Sequence, residues 1–254
     1  MADHDSGYAV GKMALTTLFQ DDYIVVVDKP PGLMIHPNAY DWKSPTCMGL
    51  VERMTGRKAY TVHRLDRGTS GVVILALNPE VAAAFSLAFR ERRVEKRYLA
   101  LVRGYTDEEG LVDSPISRTP DSSEAPALTL YRTLSRVEIP VPIGPHQSAR
   151  YSLLALDLKT GRRHQARRHV QRINHPVIGD KRHGDRNHNN YFHERFGREY
   201  LFLRAVGVSF QHPVTGLVID AWAGIPEFWQ MVLGELGLEI PAGFAPGPRI
   251  LQTG

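Results

Sequence analysis

An α+β fold is predicted by three observations. Short apolar runs recur along the chain, β-branched at Ile24–Val27 and Val72–Leu77 and leucine-rich at Tyr151–Leu158, and such runs suit buried strands. Other stretches carry apolar residues at helical spacing, as in Val81, Ala84, Phe85, Ala88 and Phe89. Finally, 254 residues with 43% hydrophobic and 23% charged side chains can bury a substantial core.

Taken in order, residues 1–14 are polar and Gly-containing and are expected to form a disordered extension. Phe19 to Lys29 reads as a strand, stopped by Lys29-Pro30-Pro31-Gly32, and Leu33 to Pro37 resumes extended structure. His36, alone before a proline, reads as structural. Thr46 to Met54 places Cys47, Leu50, Val51 and Met54 on one helical face. Asn78-Pro79-Glu80 supplies an N-cap, a proline at the first helical position and an acid in the first turn. The helix it starts ends at Arg90, Arg92 and Arg93, whose charges suit a helix C-terminus. A strand follows over Glu95–Val102. Between Asp113 and Ser148 the chain is rich in Pro, Ser and polar residues, with apolar content at Leu128–Val137 that predicts a short hairpin. Tyr151–Leu158 is a strand, Lys159-Thr160-Gly161 a turn, and Arg162–Ile173 a basic helix with Ala166, Val170 and Ile173 inward. Leu201–Ala205 is a strand, Phe210–Ile219 a hairpin, and Pro226–Leu236 a last amphipathic helix. Residues 241–254, rich in Pro and Gly, are expected to be a loose tail.

One stretch carries chemistry. His63-Arg64-Leu65-Asp66-Arg67-Gly68-Thr69-Ser70-Gly71 sets a carboxylate between two arginines, on a turn that feeds the buried run from Val72 to Leu77. In an extended chain Arg64 and Asp66 point the same way. The motif superficially shares His-Arg-Asp with kinase catalytic loops, but Leu65 is inserted and neither the kinase Asn nor Asp-Phe-Gly follows. His-Arg-Leu-Asp-x-x-Thr-Ser-Gly before a hydrophobic strand instead resembles the catalytic motif of the RluA-type pseudouridine synthases. Lys96-x-Tyr98 resembles that family's second element, and Thr160-Gly161-Arg162-x-His164-Gln165-x-Arg167 its third. Ala166 stands where relatives carry a larger aliphatic residue, and Arg204 where they commonly carry His.

The resemblance runs from about Leu18 to Leu236 and implies one catalytic domain, residues 15–240, with the pseudouridine synthase fold: a mixed, largely antiparallel central sheet with flanking helices and loops. It implies Asp66 as the catalytic aspartate, Arg64 as the residue that enters the RNA stack, Tyr98 as the ring that stacks on the target base and Arg167 as the ion-pair partner of Asp66. The segment His175 to Asn187 with Phe192 looks closer to the tRNA-modifying branch than to the ribosomal ones, which implies a uridine in the T-stem next to the acceptor stem. The same isomerisation on ribosomal RNA, a non-catalytic RNA-binding protein and a nucleoside hydrolase are the alternatives.

Charge agrees with a polyanionic partner. The net charge is only +4, yet Lys159–Arg186 holds nine basic residues against Asp180 and Asp185, leaving the rest of the chain net acidic. Arg67, Lys96, Arg162, Arg163, His164, Gln165, Arg168, Lys181 and Arg182 are accordingly expected to bind RNA together with Arg64. Exchanging a C–N for a C–C glycosidic bond requires an ionised carboxylate in a water-poor pocket, and burial disfavours the charge unless a guanidinium pairs with it. The base must also be flipped from its stack, at a cost of a few kcal/mol. No redox or group transfer takes place, so no cofactor is expected. His164 and His169 are five apart and diverge on a helix, so no metal is expected either. A single cysteine, no signal-like start and no spanning apolar run suggest a cytoplasmic protein with no membrane and no obligate protein partner.

Overall fold

The computed structural model describes residues 15–37, 41–119, 122–242, 244 and 249–253; the extension expected over residues 1–14 lies outside them. Thirteen strands and five helices follow in chain order: β1 Thr16–Gln20, β2 Ile24–Lys29, α1 Cys47–Thr55, β3 Tyr60–Thr61, β4 Ser70–Ala76, α2 Pro79–Arg90, β5 Glu95–Arg103, β6 Glu109–Asp113, β7 Ile116–Ser117, β8 Glu124–Ala125, β9 Leu128–Ile139, β10 Ala149–Leu158, α3 Gln165–Arg172, α4 Arg186–Phe196, β11 Leu203–Gln211, β12 Val218–Trp222, α5 Glu227–Leu236 and β13 Arg249–Thr253. Eleven strands form one sheet, whose main path runs β1-β2-β4-β11-β5-β10-β9-β6. Its pairs are antiparallel except β4 with β11, where Arg204 lies opposite Ser70 and Ala205 opposite Gly71.

Alternation along the strands divides the core between two sheet faces. Val25, Val27, Val73, Leu75, Ala100 and Leu154 face one way and pack with α1 and α3. Ile24, Val26, Val72 and Ile74 face the other way under α2, and Leu99, Leu101 and Leu153 do so under α4 and α5. At the centre, Gly71 has φ +114° and a Cβ there would lie 2.0 Å from the Ala205 carbonyl oxygen. Only glycine lets β4 and β11 approach this closely.

The structure differs from the sequence expectations in five places. The first strand is a hairpin, broken where Asp21 caps the turn by accepting from the Tyr23 and Ile24 N–H groups, both at 2.8 Å. Leu33–Pro37 makes a single bridge, Met34 to Thr46, rather than a strand. Leu128–Val137 belongs to one twelve-residue strand, β9, because it pairs along its length with the following strand β10, and on its other edge with β6, and not with its own second half. A helix not expected from its polar composition, α4, is capped by Asp185 and closed by Gly197 at φ +70°, with His188 and Phe192 buried one turn apart. Residues 249–253, within the stretch expected to be loose, pair with β12, whose edge offers unpaired backbone groups.

Candidate active site

The His63–Gly71 stretch enters β4 as an irregular segment with Leu65 buried between exposed Arg64 and partly exposed Asp66, so the two polar side chains share one side. Lys29, at the end of β2, holds this segment from beneath. It is fully buried, and its ammonium donates to the carbonyls of Pro30 and Leu33, each at 2.9 Å, and of Arg67 at 3.2 Å. Burial pushes its pKa down to about 7, against the opposing pull of Cys47, Asp66 and Asp28. The Gly32 N–H and carbonyl complete the clamp: the N–H donates to the Arg67 carbonyl at 2.8 Å, and the carbonyl accepts from Arg67 Nε at 2.9 Å. The Lys-Pro-x-Gly turn is thus the support of the Asp66 loop.

From α3, Arg167 donates through Nη1 to Asp66 Oδ2 at 3.0 Å. Its other edge is bidentate on Asp180, Nε to Oδ2 at 2.7 Å and Nη2 to Oδ1 at 2.6 Å. Asp180 Oδ1 also accepts from the N–H groups of Arg182 and His183. Burial works against both charges, but the pairing outweighs it, holding the Asp180 carboxyl below its usual range and the Arg167 guanidinium above its own. Asp180 is placed by a threaded segment, in which Ile178 N–H donates to Leu101 and Phe202 N–H to Ile178. Sequence reasoning counted Asp180 only as a stray acid, although an acid isolated in a basic window is a signal of a buried ion pair.

His164, in the left-handed region at φ +54°, precedes α3 and sets Nε2 3.8 Å from Asp66 Oδ1 and Nδ1 3.0 Å from His183 Nε2. Burial pushes it down to about 4, Asp66 opposing and Arg167, His183 and Arg163 adding to the effect, so it is neutral at pH 7. His169 turns away to Thr129 and the Ser114 carbonyl, the divergence expected on a helix.

Lys96 and Tyr98, two apart on β5, line the same side of the site. Tyr98 is buried, and burial with the nearby Asp66 raises its phenol pKa, so the ring stays uncharged. Lys96 donates to the Thr160 carbonyl at 3.0 Å, and burial lowers its pKa to about 8. Arg64, Asp66, Tyr98, Arg162, His164 and Arg167 surround a recess of about 50 Å³. A cleft of about 520 Å³ continues from Asp66 and Tyr98 past His63 and Phe89 to Arg118 and Arg163.

Other residues expected to contact RNA lie differently. Gln165 is buried as a bracket: its Oε1 accepts from Thr160 Oγ1 and Arg162 N–H, and its Nε2 donates to Leu128 and Thr129. These four bonds make it shape the Thr-Gly turn while it lines the recess beside Asp66. Arg168 donates to the Ser117 carbonyl, Lys181 pairs with Glu199, and Arg67 and Arg182 are exposed outside the cleft. Arg204, in place of the expected His, is buried under the sheet and donates to Asp28 at 2.6 Å and to the Gly224 carbonyl. Ala166 is buried in the core beside Val170. Among the described residues no helix is long and apolar enough to cross a membrane.

Comparisons with known proteins bear on the family and the fold. The sequence profile of the RNA pseudouridylate synthase family matches residues 23–172. The tRNA pseudouridine synthase C of Yersinia pestis is 40% identical over 243 residues, covering 91% of this chain and 93% of the relative. That of Pectobacterium carotovorum is 41% identical over 249 residues, and the match spans 90% of this chain and 66% of that longer protein. Among solved structures, human RNA pseudouridylate synthase domain containing 4 superposes with a TM-score of 0.68 at 26% identity, covering 89% of this chain and 94% of the other. Human RNA pseudouridylate synthase domain containing 1, at 22% identity and a TM-score of 0.67, shares the fold.

Proposed function

The chain belongs to the RNA pseudouridylate synthase family, and from that premise we propose that it converts a uridine in the T-stem of tRNA, next to the acceptor stem, to pseudouridine, with Asp66 as the catalytic residue. The observation that carries the reading is the Asp66 carboxylate, held at 3.0 Å by a guanidinium that a second, buried carboxylate fixes in place. That carboxylate sits beside a cleft whose other charged lining groups, Arg64, Lys96, Arg118, Arg162 and Arg163, are all cations, so a phosphate backbone and a flipped base can be brought to it.

The N1–C1′ bond breaks and the C5–C1′ bond forms, while C5 loses a proton and N1 gains one. Asp66 stabilises or attacks an electron-poor carbon, either the sugar C1′ as the first bond breaks, as carboxylates do in glycoside cleavage, or C6 of the pyrimidine. The uncharged Tyr98 ring offers a stacking face for the base, and Arg64, exposed at the mouth, fills the gap left in the RNA stack. Arg162, Arg163 and Lys96 receive phosphates at the cleft, and Arg67, Arg168, Lys181 and Arg182 extend the contact outside it. Kinship to the bacterial tRNA pseudouridine synthase C proteins supports the tRNA substrate. The test is tritium release from tRNA carrying the label at uridine C5, with carbodiimide mapping of the modified position. Release with the new mark in the T-stem is expected. No release from any tRNA overturns the tRNA reading, and a mark found solely in ribosomal RNA reassigns the substrate.

A further inference from the structure

The cleft beyond Asp66 is larger than one pyrimidine requires, and its far half contains groups that the isomerisation does not use. His63 is one of them. The Ile74 N–H donates to His63 Nε2 at 2.9 Å, so that nitrogen is an acceptor. Burial, with Lys96 adding to it, pushes the imidazole down to about 3, so the ring is neutral and carries its single proton on Nδ1. Among the described residues that Nδ1–H has no hydrogen-bond partner, although the ring lines the cleft. The His63 ring packs against Phe89, with centroids 5.0 Å apart, and the half-buried Phe89 ring also lines the cleft. Around this donor and aromatic surface stand Arg64, Arg118 and Arg163, which have no hydrogen-bond or ion-pair partner among the described residues.

An aromatic face, one fixed donor and unpaired cations suit a nucleotide: base on the ring, acceptor at the donor, phosphate at Arg118 and Arg163. We propose that Phe89 and His63 form a second base subsite, which takes the nucleotide adjacent in the chain to the isomerised uridine. This rests on the reading of the protein as an RNA uridine isomerase. The subsite makes flipping of the target cooperative with capture of its neighbour, so part of the substrate choice is read one nucleotide away from the reacting base.

The experiment is a single-turnover cycle on tRNA labelled at C5 of the target uridine, using wild-type protein and Phe89→Leu, with the two neighbouring nucleotides intact or replaced one at a time by abasic residues. Phe89→Leu keeps apolar volume against Phe85, and a thermal melt confirms that it is folded. Removing one stacked base is worth about 1–3 kcal/mol, so kcat/KM is expected to fall roughly tenfold. An abasic residue at one of the two neighbours should lower wild-type kcat/KM by a similar factor, and there Phe89→Leu should cost nothing further. An abasic nucleotide keeps its phosphate, so this cycle also separates base capture from phosphate binding. Undiminished turnover by a folded Phe89→Leu, or a Phe89→Leu loss that persists in full in both abasic substrates, overturns the subsite. Failure of wild-type protein to release tritium from intact tRNA instead overturns the functional reading on which it rests.

Discussion

Replacing Asp180 by Asn keeps the shape of the side chain and removes the charge that orients Arg167. Asn retains one carbonyl oxygen, enough for the Arg182 and His183 N–H groups and one guanidinium nitrogen, but it presents an amide N–H₂ to the other edge of Arg167. The charge-assisted bond at 2.7 Å becomes a donor facing a donor. Breaking a buried ion pair from one side costs about 3–5 kcal/mol, and here Asp180 is fully buried, so the upper half of that range applies. For a chain of this length that corresponds to a loss of roughly 10–15 °C in Tm. Arg167 then keeps Asp66 and a single uncharged acceptor to hold it, and a displacement of about 1 Å in a positioning group lowers turnover by about 100-fold. Thermal unfolding read by circular dichroism and single-turnover tritium release from C5-labelled tRNA measure the two effects. A variant that melts within about 2 °C of wild type and turns over normally would refute the claim that Asp180 orders the site.

Further expectations follow from the same network. Asp66→Asn should abolish tritium release while RNA affinity, carried by cations elsewhere, stays within about twofold by filter binding; near wild-type turnover would remove Asp66 from its role. Lys96, with its pKa lowered to about 8 by burial, carries its charge below that pH and loses it above, so RNA affinity should fall between pH 7 and 9. Lys96→Arg should flatten that decline, and a wild-type decline that survives in the variant would assign it to another group. Gly71→Ala should leave little soluble protein, because the new Cβ meets the Ala205 carbonyl at 2.0 Å; a soluble variant with an unchanged melt would show that β4 and β11 can separate there.

By itself the sequence determined the elements that local chemistry settles. The β-branched runs of β2 and β4, the leucine-rich run of β10 and the capped start of α2 at Asn78-Pro79 were legible because period, propensity and turn residues agree over a few positions. Asp66, Tyr98 and Arg167 stood out through their motifs, and the structure brings all three around one recess. What only the tertiary structure decided involves partners far apart in the chain. Arg167 meets Asp66 across 101 positions, and the buried Arg204 meets Asp28 across 176, distances over which no local pattern carries information. The role of Asp180 was not legible because its burial depends on the 177–180 segment threading beside β5. The bracketing role of Gln165 was not legible because two of its four partners, Leu128 and Thr129, come from β9, more than thirty positions away. The helix α4 and the length of β9 were hidden for the same reason: a polar helix and a strand between loops draw their stability from packing and pairing more than from intrinsic propensity.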